Sequence, residues 1–208
     1  MSKTIERGCG NSAMPECTRT FIAIAVPEPV EQELARLQAE LAPEVAGCHW
    51  TSTRPFHITL AFLGNVPDCD LNQICQTVTA STVSLDRFEV EVHGLGAFPN
   101  ASRPRVVWAG VTATNINALN ELQQSVIGSL ERISHGPDDP RFHPHVTLGR
   151  IKHSRQGNRT VQALIERWAG WSAGRFTVTD VSIMASILDR AGPRYEVLGR
   201  CLFHGKKH

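Results

Sequence analysis

The sequence predicts an α+β fold: a bilobal, duplicated unit whose two antiparallel-rich sheets, flanked by helices, leave a cleft between them. Three observations predict it. A strand–helix–strand–helix–strand order runs through the chain twice. Each pass carries the same tetrapeptide pattern in its central strand, His57-Ile58-Thr59-Leu60 and then His145-Val146-Thr147-Leu148. Phe88 also follows His57 by the same number of residues as Phe176 follows His145, so the two passes keep register. A pseudo-two-fold axis between the copies would bring the motifs face to face.

The first pass opens with Thr20–Val26, an apolar β-rich run stopped by Pro27. Pro29–Leu41 follows as a helix, because Val30, Leu34, Leu37 and Leu41 recur at helical spacing. The His57 strand comes next and closes at Gly64. Leu71, Ile74 and Val78 mark a helix over Leu71–Thr82. Phe88–Val92 alternates Phe88, Val90 and Val92 with Glu89 and Glu91, the pattern of a half-buried strand. The second pass opens at Arg105–Val111. Its helix spans Ile116–Ile133, on Leu119, Leu122, Val126, Ile127 and Leu130. The His145 strand, a helix over Val161–Ala169 and a strand over Phe176–Ile187 complete it. An added strand, Tyr195–Phe203, closes the chain. Gly94–Arg103 and Ser134–Arg141, rich in Gly, Pro, Ser or Asp, read as surface loops.

With 208 residues and a hydrophobic fraction of 41%, the chain can bury one core, shared by two small lobes. Residues 1–18 are polar, lack an apolar core segment and read as a disordered tail rather than a signal peptide. The domain is expected over residues 19–204, with 205–208 as a second short tail. No run of eighteen apolar residues exists, so no transmembrane helix is expected. Six cysteines form no CxxC pair, and without a secretion signal they read as reduced thiols of a cytoplasmic protein. A net charge of +1 excludes a protein that coats long nucleic acid by charge alone. All but four of the 21 basic residues are arginines, for which genomic composition is as good a cause as phosphate binding.

A given histidine is followed by x-Thr-Leu roughly once in 200 cases in ordinary composition, so two such matches among 9 histidines need a reason. On a strand, residues i and i+2 share a face. Each motif therefore presents an imidazole and a hydroxyl side by side, with Ile58/Leu60 or Val146/Leu148 turned into the core. Two such edges across a cleft supply two proton-transfer groups and two hydroxyl donors, the set that in-line attack on a phosphodiester needs. A lone histidine of this kind is better read as a satisfied half-buried residue, and a lone threonine as ordinary β-propensity. The duplication moves the balance to His57 and His145 as the acid/base pair, and to Thr59 and Thr147 as donors to the non-bridging phosphate oxygens.

Phe62 and Arg150 each lie five residues after their histidine and so occupy equivalent positions. A flat ring and a guanidinium could hold a nucleobase between them. The odd offset sets them on the wrong face of a regular strand, so a bulge near Leu63-Gly64 or at Gly149 is required. His143 pairs with His145 as His-x-His, and His49 and His153 are near in sequence, but no acidic partner stands at metal-ligand spacing. No metal and no cofactor are expected; His143 reads as a cleft-edge residue. Trp108 reads as a core aromatic, and the role of Tyr195, the single tyrosine, is left open.

The paired motifs resemble the 2H phosphoesterase superfamily, and within it the RNA 2',3'-cyclic phosphodiesterases, also called 2'-5' RNA ligases (LigT-like). The resemblance runs from residue 19 to 203. It rests on Phe21-Ile-Ala-Ile, His57 to Gly64, Pro104 to Gly110, Arg141 to Arg150, Ser186-x-Leu188 and Gly192-x-x-Tyr195. The segment Thr51–Phe56 is atypical, and Gly149 stands where the family often has Ala. The resemblance implies opening of a terminal 2',3'-cyclic phosphate on RNA or an oligonucleotide to a 2'-phosphomonoester, with weak 2'-5' ligation in reverse. It implies that His145 activates the water and His57 protonates the leaving ribose oxygen; the residues alone leave that order open. A small cyclic nucleotide or an ADP-ribose cyclic phosphate is the alternative substrate, and a non-catalytic RNA-binding module the alternative function. The expected partner is thus RNA with a cyclic phosphate end. No membrane and no obligate protein partner are expected, and the protein reads as a monomer.

Overall fold

A computed structural model of the chain describes residues 16–115, 117–137, 139, 141–152, 157–189 and 192–205. Strands and helices follow in the order β1 (Cys17–Ala25), α1 (Glu28–Leu41), β2 (Cys48–Trp50), β3 (His57–Pro67), α2 (Leu71–Thr82), β4 (Phe88–Phe98), β5 (Val106–Ala113), α3 (Ala118–Glu131), β6 (His145–Ile151), α4 (Gly157–Arg167), β7 (Ser172–Val178), β8 (Asp180–Asp189) and β9 (Gly192–Leu202). The α+β architecture expected from the sequence is present.

The strand order is β7-β4-β5-β6-β3-β1-β8-β9, with β2 paired beside β6, and the pairings are antiparallel. The centre of this order is its weakest seam. β3 and β6 share a single register pair, Ile58 with Val146, whereas β1 pairs with β3 along its whole length. Two four-stranded halves, β9-β8-β1-β3 and β6-β5-β4-β7, therefore meet along the two motif strands. Membership of the halves departs from simple duplication. β4 leaves the first pass to pair with β5 and β7, and β8 joins β1 in the first half. The matched Phe88 and Phe176 spacings thus mark two neighbouring strands, since Phe88 lies opposite Val178 and Val90 opposite Phe176.

Helix α1 forms because Pro29 presets its first turn, Glu28 and Glu31 complement its N-terminal dipole, and Val30, Leu34, Leu37 and Leu41 line one face. These four are at most 4% exposed. Burial of such a side chain is worth about 1.5–3 kcal/mol. Gln38, on the same face, donates from Nε2 to the carbonyls of Thr51 (3.0 Å) and Leu148 (2.7 Å). One buried amide thereby ties the connection before β3 to the middle of β6.

Several boundaries differ from expectation. β1 begins at Cys17, so Cys17 and Thr18, expected in the tail, pair with Pro67 and Val66; the rest of that tail to residue 15 lies outside the described residues. β4 runs on through Gly94–Phe98, expected as loop, because Gly94 (φ +60°) makes a bulge between His93 and Leu95 and pairing with β5 resumes beyond it. The expected Phe176–Ile187 strand is two strands broken at Thr179, and β2 was not anticipated.

Candidate active site

The single Ile58–Val146 pair brings the two motifs side by side. Each imidazole shares a cavity with the threonine of the other motif: His57 and Thr147 line one of about 510 Å³, while Thr59 and His145 line another of about 530 Å³. The core residues between them, Ile58, Leu60, Val146 and Leu148, are at most 4% exposed.

Both imidazoles are held the same way. Nδ1 of His57 lies 3.3 Å from the carbonyl oxygen of Pro55, and Nδ1 of His145 lies 2.7 Å from that of His143. A carbonyl only accepts, so each Nδ1 carries the proton and donates it. Nε2 is left as the titrating nitrogen in both rings. Both histidines are pushed below the ordinary imidazole range, chiefly by burial. The carbonyl bond opposes that shift in each. His57 is lowered further by the charge of His145, and His145 by His143 and Arg150. The walls are aromatic. Phe21 and Tyr195 each stand 4.9 Å from the His57 ring, and Phe98 and Trp108 stand 5.0 and 6.0 Å from the His145 ring.

Two bulges settle the positions of Phe62 and Arg150. In β3, Ala61 pairs with Ile22 and Thr59 with Ala23, so Leu60 is the extra residue; a further irregularity falls at Leu63, between the Thr20–Gly64 and Phe21–Phe62 pairs. In β6, Gly149 pairs with Val107 and Thr147 with Trp108, so Leu148 is the extra residue. Leu60 and Ala61 are consequently both buried, as are Leu148 and Gly149, and Phe62 and Arg150 return to the face of the histidines. Phe62 is 56% exposed, which excludes a core role. It lines the His145 cavity, and a third hollow brings it together with Arg150 and Tyr195.

Of the other residues singled out, His143 lines the His145 cavity and His49 the His57 cavity. Trp108 is half-buried behind the histidines, with its ring 4.8 Å from that of His143 and its indole nitrogen enclosed. His153 lies outside the described residues. Among the described residues, no group of three His, Cys, Asp or Glu could hold a metal ion. Sequence reasoning missed Phe98, Lys152 and the Asp139–Arg141 pair. Arg141 grips Asp139 through Nε (2.9 Å) and Nη2 (2.6 Å) and holds its carboxyl down at about 2.

The two motif strands thus set a histidine and a threonine in each of two neighbouring cavities, and comparison with known proteins shows the family to which the chain belongs. The model of the 2'-5' RNA ligase superfamily matches residues 26–190. An RNA 2',3'-cyclic phosphodiesterase of Aeropyrum pernix is 35% identical over 165 residues, covering 79% of this chain and 92% of that protein. One of Archaeoglobus fulgidus is 33% identical, covering 86% and 97%. Among solved structures, TT0787 of Thermus thermophilus superposes with a TM-score of 0.76 at 26% identity, covering 91% of this chain and 100% of that one. E. coli LigT in its apo form gives 0.69 at 25%, covering 90% and 98%. The chain belongs to the 2'-5' RNA ligase superfamily of 2H phosphoesterases, beside the RNA 2',3'-cyclic phosphodiesterases. Among the described residues, no helix is long and apolar enough to cross a membrane.

Proposed function

We propose that the protein hydrolyses the terminal 2',3'-cyclic phosphate of RNA or an oligonucleotide to a 2'-phosphomonoester by two-histidine acid–base catalysis. The observation that carries this reading is the pairing of the two motif strands at Ile58 and Val146, which sets each histidine in a cavity with the other motif's threonine, with both Nδ1 atoms held by backbone carbonyls. Nε2 of neutral His145 takes a proton from water as the water oxygen attacks phosphorus. The bond from phosphorus to the ribose 3' oxygen breaks, and Nε2–H of protonated His57 gives its proton to that oxygen. Thr59 and Thr147 donate to the two non-bridging oxygens, whose charge grows in the transition state. Phe62 and Arg150 hold the terminal base. A 5'-hydroxyl in place of water gives slow 2'-5' ligation. The reading takes the enzyme to be cytoplasmic, monomeric and independent of metal or cofactor.

The test is a short RNA bearing a 2',3'-cyclic phosphate, incubated with EDTA, with the 2'- and 3'-phosphate products resolved. A 2'-phosphate product formed at full rate is expected. A 3'-phosphate product would reverse the leaving group. Loss of rate in EDTA, restored by zinc or manganese, would overturn metal independence.

A further inference from the structure

The cavity beside His57 is larger than a cyclic phosphate needs, and its lining differs from that of its counterpart. At about 510 Å³ it falls in the range of pockets that bury a small organic ligand. Arg150 and Lys152 line it, together with the hydroxyl residues Thr51 and Ser52, and no carboxylate does. Among the described residues neither cation has an acidic partner. In the cavity beside His145, by contrast, the one cation is Arg141, already neutralised by Asp139 among aromatic rings.

The two cations come from the end of one strand: Arg150 lies opposite His49 across the β2–β6 pairing, and Lys152 follows β6 in a bend, exposed to solvent. The hydroxyls are presented on preformed backbone: Thr51 N–H donates to the Leu148 carbonyl (2.8 Å), and Gln38 holds the Thr51 carbonyl. Thr53 is committed elsewhere, its hydroxyl donating to the carbonyl of Pro193 (2.6 Å). A positively charged, hydroxyl-lined groove is how proteins follow a single-stranded backbone.

We infer that the cavity lined by Thr51, Ser52 and Lys152 is a subsite for the phosphate on the 5' side of the terminal nucleotide, with Lys152 its principal contact. The inference rests on the hydrolase reading and sharpens it. It makes the site one for an oligonucleotide or a 5'-phosphorylated end, and the atypical Thr51–Phe56 segment becomes the part of the chain that reads substrate length.

The test uses two ligand pairs differing only in a 5'-phosphate. For turnover, adenosine 2',3'-cyclic phosphate is compared with its 5'-phosphorylated form; for binding, adenosine 2'-phosphate is compared with adenosine 2',5'-bisphosphate by calorimetry. The wild-type protein should favour the 5'-phosphorylated member of each pair by about tenfold, as a charge-assisted contact does. Lys152→Ala should remove most of that preference, Lys152→Glu should reverse it, and added salt should shrink it. Equal affinity of the wild-type protein for the two binding ligands, or an equal loss on both in Lys152→Ala, would overturn the subsite. Failure of the wild-type protein to turn over either cyclic phosphate, with the binding preference intact, would instead count against the hydrolase reading.

Discussion

In β3 the motif imidazole stands between Phe21 and Tyr195, and the charge that reaches it is that of the opposite histidine. In β6 the equivalent imidazole stands against Phe98 and Trp108, with His143 and Arg150 both bearing on it. The backbone device is shared: a carbonyl two residues upstream takes Nδ1–H, and a bulge at the motif leucine returns the sixth residue to the cleft. The lesson is that the repeated tetrapeptide specifies where the rings sit, while residues outside it set the surroundings each ring meets. Both rings are lowered, chiefly by burial, so each favours its neutral form. The proposed mechanism assigns His145 as the base and His57 as the acid.

Removing either ring should break the comparison most severely. His57→Ala and His145→Ala are each expected to lower kcat by roughly 10² or more, since a positioned acid or base is worth about that much. Steady-state kinetics on a cyclic-phosphate RNA, with circular dichroism to show that each variant is folded, measures it. A folded variant near the wild-type rate would end the two-histidine mechanism.

The pH profile sharpens the same comparison. Both imidazoles are lowered, so the neutral base persists to lower pH than a free imidazole would allow, and the protonated acid is lost earlier as pH rises. The profile of kcat/KM should be a bell displaced to the acid side of an unperturbed imidazole pair. A rate still climbing at pH 9 would point to hydroxide or a metal-bound water. Stability should move in the matching direction. A depressed histidine contributes stability that is fully present above its unfolded pKa, near 6.5, and that is lost as pH falls through the folded value. Tm should therefore drop on acidification from pH 7, and the drop should be smaller in His57→Ala.

How much of this was legible in the sequence depends on which signal each residue leaves. Helix α2 was readable from the spacing of Leu71, Ile74 and Val78, and the two motif strands from their repeated tetrapeptide. The parity conflict at Phe62 and Arg150 calls for bulges and they exist, but the decisive ones are at Leu60 rather than Leu63-Gly64 and at Leu148 rather than Gly149. Strand β2 has three residues and no periodicity to read. The exchange of β4 and β8 between halves is a long-range choice that local pattern does not encode. Phe98 was hidden inside a segment whose glycines and proline imitate a loop. Tyr195 reaches the cleft because β9 pairs with β8, which sets it opposite Ser186 in the half that carries His57.

A smaller effect is expected at Arg150, the residue that makes the two halves electrically unequal. Its side chain is exposed at the cleft and lines both the His57 cavity and the hollow shared with Phe62. If it stacks on the base and aligns the phosphate, Arg150→Lys keeps the charge but loses the planar fork. Arg150→Ala and Arg150→Lys should then both lower kcat/KM, by roughly tenfold for one charge-assisted contact. A lysine variant equal to wild type would reduce the role of this residue to charge alone.

The smallest expected effect concerns a neighbouring position at which the two motif strands differ. Ala61 follows the bulge residue in β3, and Gly149 follows it in β6. The difference has a local cause, because β2 pairs with β6. A Cβ added at Gly149 would meet Cys48 Sγ at 2.5 Å and the Trp50 ring at 3.1 Å. Cys48 is held there with its thiol pushed up to about 11 by burial, so it is an inert wall rather than a nucleophile. Gly149→Ala should therefore destabilise the fold by about 1–3 kcal/mol, the usual range for overpacking, and the midpoint of denaturant unfolding measures it. Its activity should fall too, since Arg150 follows directly and would shift with the strand. Cys48→Ala in the same chain removes the closest contact and should recover most of the stability. If Gly149→Ala unfolds at the wild-type midpoint, β2 yields to the methyl group and the halves differ by history rather than by packing. If the double variant is no better than the single one, the Trp50 contact is the wall that matters.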